Sequence, residues 1–190
     1  MSKRYILMIC MSTVLIVSCK TAEFGFKTVD INGMIYDFSN RPIPFFDISL
    51  GNKYKSRTDI NGRFVLPAVP AGEYAIIGNK KGYETYIDEI NVNDSRQIIY
   101  IRVPSQKQLL EMADEALAEN DFANAEEILG RAFQIDQNSI ETLLYFAAVK
   151  YRQKDYEKAV SFLEHAQSLG SKDVFIEKFL NALKEIQNGI

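Results

Sequence analysis

The chain has 190 residues, 47% hydrophobic and 25% charged, with a formal net charge of −3; this excludes a mainly disordered chain, a collagen-like fibre and a polytopic membrane protein. A weakly acidic chain has no general attraction for nucleic acid. With two cysteines and one histidine in all, catalytic Cys–His pairs and Cys/His zinc sites are nearly excluded.

The chain opens Met1-Ser2-Lys3-Arg4 and then runs almost entirely apolar from Tyr5 to Val17, the charged n-region and short h-region of a secretory signal. A helix of that length covers about 20 Å against a hydrocarbon core of about 30 Å, so a permanent span is not expected. The run ends Leu15-Ile16-Val17-Ser18-Cys19, which resembles the lipobox of bacterial lipoproteins. The resemblance implies removal of residues 1–18, a diacylglyceryl group on the Cys19 sulfur, and acylation of the new amino terminus. More than one acyl chain gives stable anchoring. Residues 19–26 would be a lipidated tether. The expected location is the bacterial cell envelope, lipid-anchored, with the outer membrane favoured and the leaflet open. Cys10 leaves with the signal and Cys19 is consumed by lipid, so neither a thiol nor a disulfide is expected in the mature chain.

Residues 27–103 carry period-two alternation with turn signals every eight to twelve residues, the pattern of a β-sandwich. Val29, Ile31, Gly33 and Ile35 alternate before Asn40-Arg41-Pro42, and Phe46, Ile48 and Leu50 alternate before Gly51-Asn52. Thr58-Asp59-Ile60-Asn61-Gly62 predicts a tight reversal in which Asp59 holds nearby amides and Gly62 takes positive φ. The same segment is a poor calcium loop, because Pro70 stands where an EF-hand needs its twelfth-position Glu. Phe64 and Leu66 follow; Pro67 and Pro70-Ala71-Gly72 are expected to break the chain. Tyr74 and Ile76 open another strand, Gly82 turns before a strand from Tyr83 to Ile90, and Ile99, Ile101 and Val103 finish with clean alternation. In order, Gly33-Met-Ile-Tyr-Asp37, Arg41-Pro-Ile-Pro44, Thr58 to Phe64, Val69 to Tyr74 and Lys81-Gly-Tyr83 resemble the carboxypeptidase regulatory-like domain. That resemblance implies a small antiparallel β-sandwich of transthyretin-like type with seven strands, a spacer or adhesion-like role and no chemistry of its own.

Residues 105–190 change to a period of 3.6. Ser105 with Gln108 makes a capping box. A spacing of 34 then relates Ala113 to Ala147, Asp121 to Asp155, Phe122 to Tyr156, Ala125 to Ala159, Leu129 to Leu163 and Ala132 to Ala166. These positions resemble the tetratricopeptide repeat, a helix–turn–helix unit. Alanines let paired helices approach closely, and each aspartate is a candidate N-cap of a second helix. Gln137 and Ser171 replace the proline that often ends a repeat, and Lys150 stands where an aromatic is usual. Val174 to Ile186 supplies one further amphipathic helix, with Phe175, Ile176, Phe179, Leu183 and Ile186 apolar, read as a C-terminal cap. The expected architecture is therefore two-domain, β then α. Two units this small are expected to dock on each other.

The resemblance to tetratricopeptide repeats implies a groove lined by the first helices of successive repeats. Carried over position by position, it places Asp114, Leu117, Leu144, Ala148, Tyr151 and Arg152 there, with Phe175 and Lys178 closing one end. Tyr and Arg dominate binding hot spots, which draws attention to Tyr151 and Arg152. The competing reading buries Leu117, Leu144 and Phe175 against the sandwich. His165 reads as an ordinary surface or partly buried histidine, and the acids Glu111, Asp114, Glu115, Glu119, Glu126 and Glu127 as a solvated face. No phosphate loop, dinucleotide fingerprint or metal-ligand spacing is present, so neither cofactor nor metal is expected and an enzyme is not. The favoured function is an envelope adapter that binds a protein or peptide partner. Adhesion through sandwich aromatics such as Tyr36, Tyr54, Tyr83 or Tyr86, a small envelope hydrolase using His165 or paired carboxylates, and a structural role in a larger assembly remain alternatives.

Overall fold

The computed structural model describes residues 28–93, 98–170 and 173–187. The signal segment, Cys19 and the tether lie outside the described residues. Among the described residues, seven strands come first: β1 (Thr28–Tyr36), β2 (Asp47–Leu50), β3 (Tyr54–Arg57), β4 (Arg63–Pro70), β5 (Gly72–Asn79), β6 (Tyr86–Val92) and β7 (Ile98–Arg102). Alternation sends Val29, Ile31 and Ile35 of β1, Ile48 and Leu50 of β2, and Phe64 and Leu66 of β4 to one side, where they meet Ile76, Ile99 and Ile101 in a shared core. Each fully buried side chain of this size is worth roughly 1.5–3 kcal/mol. The core is closed by two sheets, β4-β1-β7 and β3-β2-β5-β6.

One pairing departs from the antiparallel sandwich expected from the sequence. β1 runs parallel to β7, from Asn32 opposite Ile98 to Tyr36 opposite Arg102, while the other four pairings are antiparallel. First and last strands that run the same way place the start of the domain at one end and its exit at the other. β1 alone spans about 30 Å between these ends.

Two further expectations are corrected. Pro67 does not break its strand: β4 continues to Pro70, and the register slips between Val29 and Ile31 as a bulge. Ala68 takes φ 52° there, and its amide donates to the Asp30 carboxylate at 2.9 Å. Because β4 is an edge strand, a residue without an N–H costs the ladder little. The strand expected from Tyr83 begins instead at Tyr86; Tyr83 makes an isolated bridge to Ser105. The reversal at Asp59 forms as expected, with its carboxylate accepting from the amides of Asn61 and Arg63 at 2.8 Å each and Gly62 at φ 72°.

Five helices follow among the described residues: α1 (Gln106–Ala118), α2 (Phe122–Ile135), α3 (Ile140–Arg152), α4 (Tyr156–Ser168) and α5 (Val174–Gln187). None of the described helices is long and apolar enough to cross a membrane. The spacing of 34 survives in atomic detail. Ala113, Ala125, Ala132, Ala147, Ala159 and Ala166 all have no exposed surface, and neither do Leu129 and Leu163. Asp121 and Asp155 cap α2 and α4 through the amides of Asn124 and Lys158. The turns before them use Asn120 and Lys154 at φ 63° and 64°, one repeat apart in the same backbone state. α5 packs Ile176, Leu180 and Leu183 onto the second repeat.

The two units meet at the exit end of the sandwich. Gln106 N donates to Gly82 O at 3.0 Å and Glu84 N to Pro104 O at 3.1 Å. Arg131 on α2 makes a two-pronged ion pair with Glu84, at 2.7 and 2.8 Å, in the geometry that suits guanidinium and carboxylate. Burial opposes the charge on Arg131, but the Glu84 hydrogen bond is the larger influence and raises its pKa. On α1, the capping box at Ser105 is complete, and Gln108 Nε2 also donates to Ser39 Oγ at 2.9 Å. The docking expected from size alone is thus made by loops 37–41 and 80–85 against the first two helices.

Thr58 tests the sandwich core. Its buried hydroxyl accepts from Phe46 N at 2.8 Å and donates to Ile43 O at 2.7 Å. Thr58→Val keeps the shape and orphans both groups, so urea unfolding is expected to show a loss of about 1–3 kcal/mol.

Candidate functional site

α1, α3 and α5 are the first helices of successive units, and a groove of about 410 Å³ lies between them. Its walls repeat at the spacing of 34: Leu117 and Tyr151, Asp114 and Ala148, Ala118 and Arg152 are equivalent pairs, and all six line it. Tyr145, Phe175 and Phe179 complete the lining. Tyr151 meets Phe179 edge to face with centroids 5.5 Å apart, and Phe175 lies 5.9 Å from Phe179. This aromatic shelf is open to solvent, since Tyr151 is 42% exposed and Phe175 61%. Among the described residues, none of the sandwich contributes to the lining.

Polar groups hold the rim. Arg152 Nη2 donates to Asn120 Oδ1 at 2.6 Å, and its guanidinium sits 5.8 Å from the centre of the Phe122 ring. The side chain is therefore held across to the turn of the first repeat. Burial raises the pKa of the Tyr145 phenol, and the charges of Asp114, Glu141 and Glu111 add to the effect, so the groove presents a neutral hydroxyl beside acids on α1. A mainly apolar floor with one anchored cation and one exposed acid suits a side chain or peptide segment with an apolar anchor better than a small charged substrate.

Of the six residues placed in the groove from the sequence, the structure brings together Asp114, Leu117, Ala148, Tyr151 and Arg152. Leu144 is the exception: it packs into the core between the second repeat and α5, and its neighbour Tyr145 faces the groove. One residue is about 100° of helix, enough to change faces. Lys178 is exposed and does not line the groove, whereas Phe175 does. Ala118, Tyr145 and Phe179 were missed, although each stands three or four residues from a named position and the helical period points to them. Leu117 is buried among helical residues and Phe175 is exposed, so neither is covered by the sandwich.

What holds the repeats together was also partly hidden. Phe133, Phe146 and Phe162, from α2, α3 and α4, form a ladder with centroids 6.2 and 4.8 Å apart. Lys150, at the position where an aromatic was expected, reaches back to Glu126 at 2.6 Å, and Gln153 Nε2 donates to the other carboxylate oxygen at 2.6 Å. Glu126 is thus a clamp between α2 and α3, not part of a solvated acidic face. Burial pushes its pKa up, but the hydrogen bonds from Lys150 and Gln153, with the charges of Lys150 and Lys158, together outweigh burial and hold it below the ordinary value.

Elsewhere, the sandwich tyrosines considered for adhesion are half-buried and engaged internally. Tyr54 packs edge to face on Tyr74, Tyr83 on Phe46, and the Tyr86 hydroxyl donates to Asp88 at 2.8 Å. Burial and that hydrogen bond push the Tyr86 phenol up to about 12. His165 is exposed near the end of α4. Among the described residues, no group of three or more His, Cys, Asp or Glu is arranged to hold a metal ion.

A two-sheet sandwich followed by paired antiparallel helices at a spacing of 34 defines the class of protein. Residues 30–100 match the family model of the carboxypeptidase regulatory-like domain, and residues 116–173 match that of the tetratricopeptide repeat. The chain carries the first followed by the second, and both are non-catalytic types of domain. No curated protein matches it. Among solved structures it is similar to a C-terminal interface mutant of a type II cohesin–X-dockerin complex from Acetivibrio cellulolyticus, at 21% identity and TM-score 0.37, covering 43% of this chain and 60% of that one. It is also similar to the major pilin subunit of Bacillus cereus, at 19% identity and TM-score 0.33, covering 42% of this chain and 29% of the pilin. The chain thus spans less than two thirds of the length of either.

The Glu126 clamp makes stability depend on pH in a defined direction. A carboxylate with a lowered folded pKa contributes stability above its ordinary value of 4.5, and that contribution is lost as pH falls from there through the folded pKa. Glu126→Gln is expected to flatten this part of the profile, checked by urea unfolding between about pH 6 and 3.

Proposed function

We propose that the protein is a lipid-anchored bacterial envelope lipoprotein that works without catalysis, as an adapter holding a protein or peptide partner in the groove between α1, α3 and α5. The open aromatic shelf of Tyr151, Phe175 and Phe179 carries this reading. Exposed aromatics beside an anchored arginine are the residue types that concentrate binding energy, and a groove along first helices is the usual interaction surface of such arrays. The signal-like segment ending at Ser18-Cys19 supports the anchor, and the outer membrane is the favoured site. The sandwich, whose start and exit lie at opposite ends, would then raise the groove away from the lipid.

A second reading, adhesion through the sandwich, draws on the outer face of the three-stranded sheet, where Val65, Ile98 and Tyr100 are 47%, 51% and 65% exposed. It predicts binding indifferent to changes in the groove.

Metabolic labelling with an alkyne fatty acid tests the anchor: label and membrane fractionation are expected for the wild type and are both lost in Cys19→Ala. Cross-linking in native membranes tests the groove. A partner captured by wild type and lost on the double change Tyr151→Ala, Arg152→Glu supports the adapter, provided both proteins are folded and membrane-bound. Equal capture moves the interface to the sandwich.

A further inference from the structure

We infer that the sandwich is a tension-bearing strut, built to resist a pull between its starting and exit ends through shear of β1 against β7. The inference rests on strand pairing and burial within the sandwich and stands whether or not Cys19 carries lipid.

The chain enters at Thr28 and leaves after Arg102, and β1 and β7 are parallel neighbours. A pull on the two ends therefore draws β1 one way along its axis and β7 the other. The register from Asn32–Ile98 to Tyr36–Arg102 lies across this pull, and the bond from Val103 N to Tyr36 O at 2.9 Å extends it. Hydrogen bonds in a parallel pair are evenly spaced along the strands, so they share the load and must fail together. In an antiparallel pair pulled from one end, the load falls on one bond at a time.

Side chains reinforce the backbone. β1 is the central strand of its sheet, paired with β4 on its other side, so it is gripped along both edges. A slip of one residue between β1 and β7 exchanges the faces of a strand. It would drive Ile99 and Ile101, 9% and 1% exposed, out of the core and turn Ile98 and Tyr100, 51% and 65% exposed, into it. Sliding by small steps is thereby blocked, and the pair holds its register until it ruptures.

Single-molecule force spectroscopy on the full chain, with Cys10 and Cys19 replaced by serine, tests this along two axes. The first pulls the amino terminus against the carboxyl terminus. The second pulls the amino terminus against a handle on Ala71→Cys, an exposed site beside Pro70, which pairs with Thr28; this axis unzips β1 from β4. The sandwich event on the first axis is recognised by a lengthening of roughly 230 Å for residues 28–103. The expected result is a several-fold higher rupture force on the first axis than on the second. Equal forces, or a lower force on the first axis, overturn the inference. Loss of the Cys19 label would leave this result untouched, so the two readings fail separately.

Discussion

The parallel pairing of β1 with β7 settles how everything else is arranged. Because the two strands end at the same edge, Tyr36 and Val103 are hydrogen-bonded neighbours, and the loops that leave β1 and approach β6 gather where the chain turns into α1. Had the domain closed with an antiparallel last strand, its exit would lie beside Thr28 and the helices would sit at the starting end. Loops 37–41 and 80–85 would then have nothing to hold. The ion pair of Glu84 with Arg131 and the bond from Gln108 to Ser39 exist because topology delivers their partners to one place.

Within the helical unit, geometry follows from small residues at fixed intervals. Buried alanines set the approach of paired helices, and large residues then fill what remains. The phenylalanine ladder and the Glu126–Lys150–Gln153 clamp join one repeat to the next. α5 covers the second repeat with Ile176, Leu180 and Leu183. Its other side leaves Phe175 in solvent and Phe179 half-buried, so one helix both closes the core and furnishes the groove wall.

Much of this was legible in the sequence because the signals are local. Alternation marked the strands, the Asp59 reversal declared itself by its turn residues, the spacing of 34 located both helix pairs, and the resemblance to tetratricopeptide repeats placed five groove residues. Strand order is a different kind of information. Period-two patterning says which face a residue takes but not which strand lies beside it, so the parallel pairing escaped. Pro67 misled because its cost depends on whether the strand is an edge. Leu144 misled because Leu144 and Tyr145 are both apolar enough for either face, and only packing separates them. Lys150 and Glu126 lie 24 residues apart on different helices, where charge in the sequence looks like surface until the helices are brought together.

The amide of Gln108 does two jobs at once. Its oxygen accepts from Ser105 N at 3.0 Å to close the cap of α1, while its nitrogen reaches Ser39 in the sandwich. The side chain that closes the first turn of the helical unit is therefore also held by Ser39 of the other domain, whose loop is itself fixed by the Asp37 carboxylate, which accepts from the amides of Ser39 and Arg41. Order in the loop and order in the helix start are linked: fraying of one removes a partner from the other. The boundary between the domains is thus a shared seam across which local opening is communicated, and not a flexible joint between independent beads.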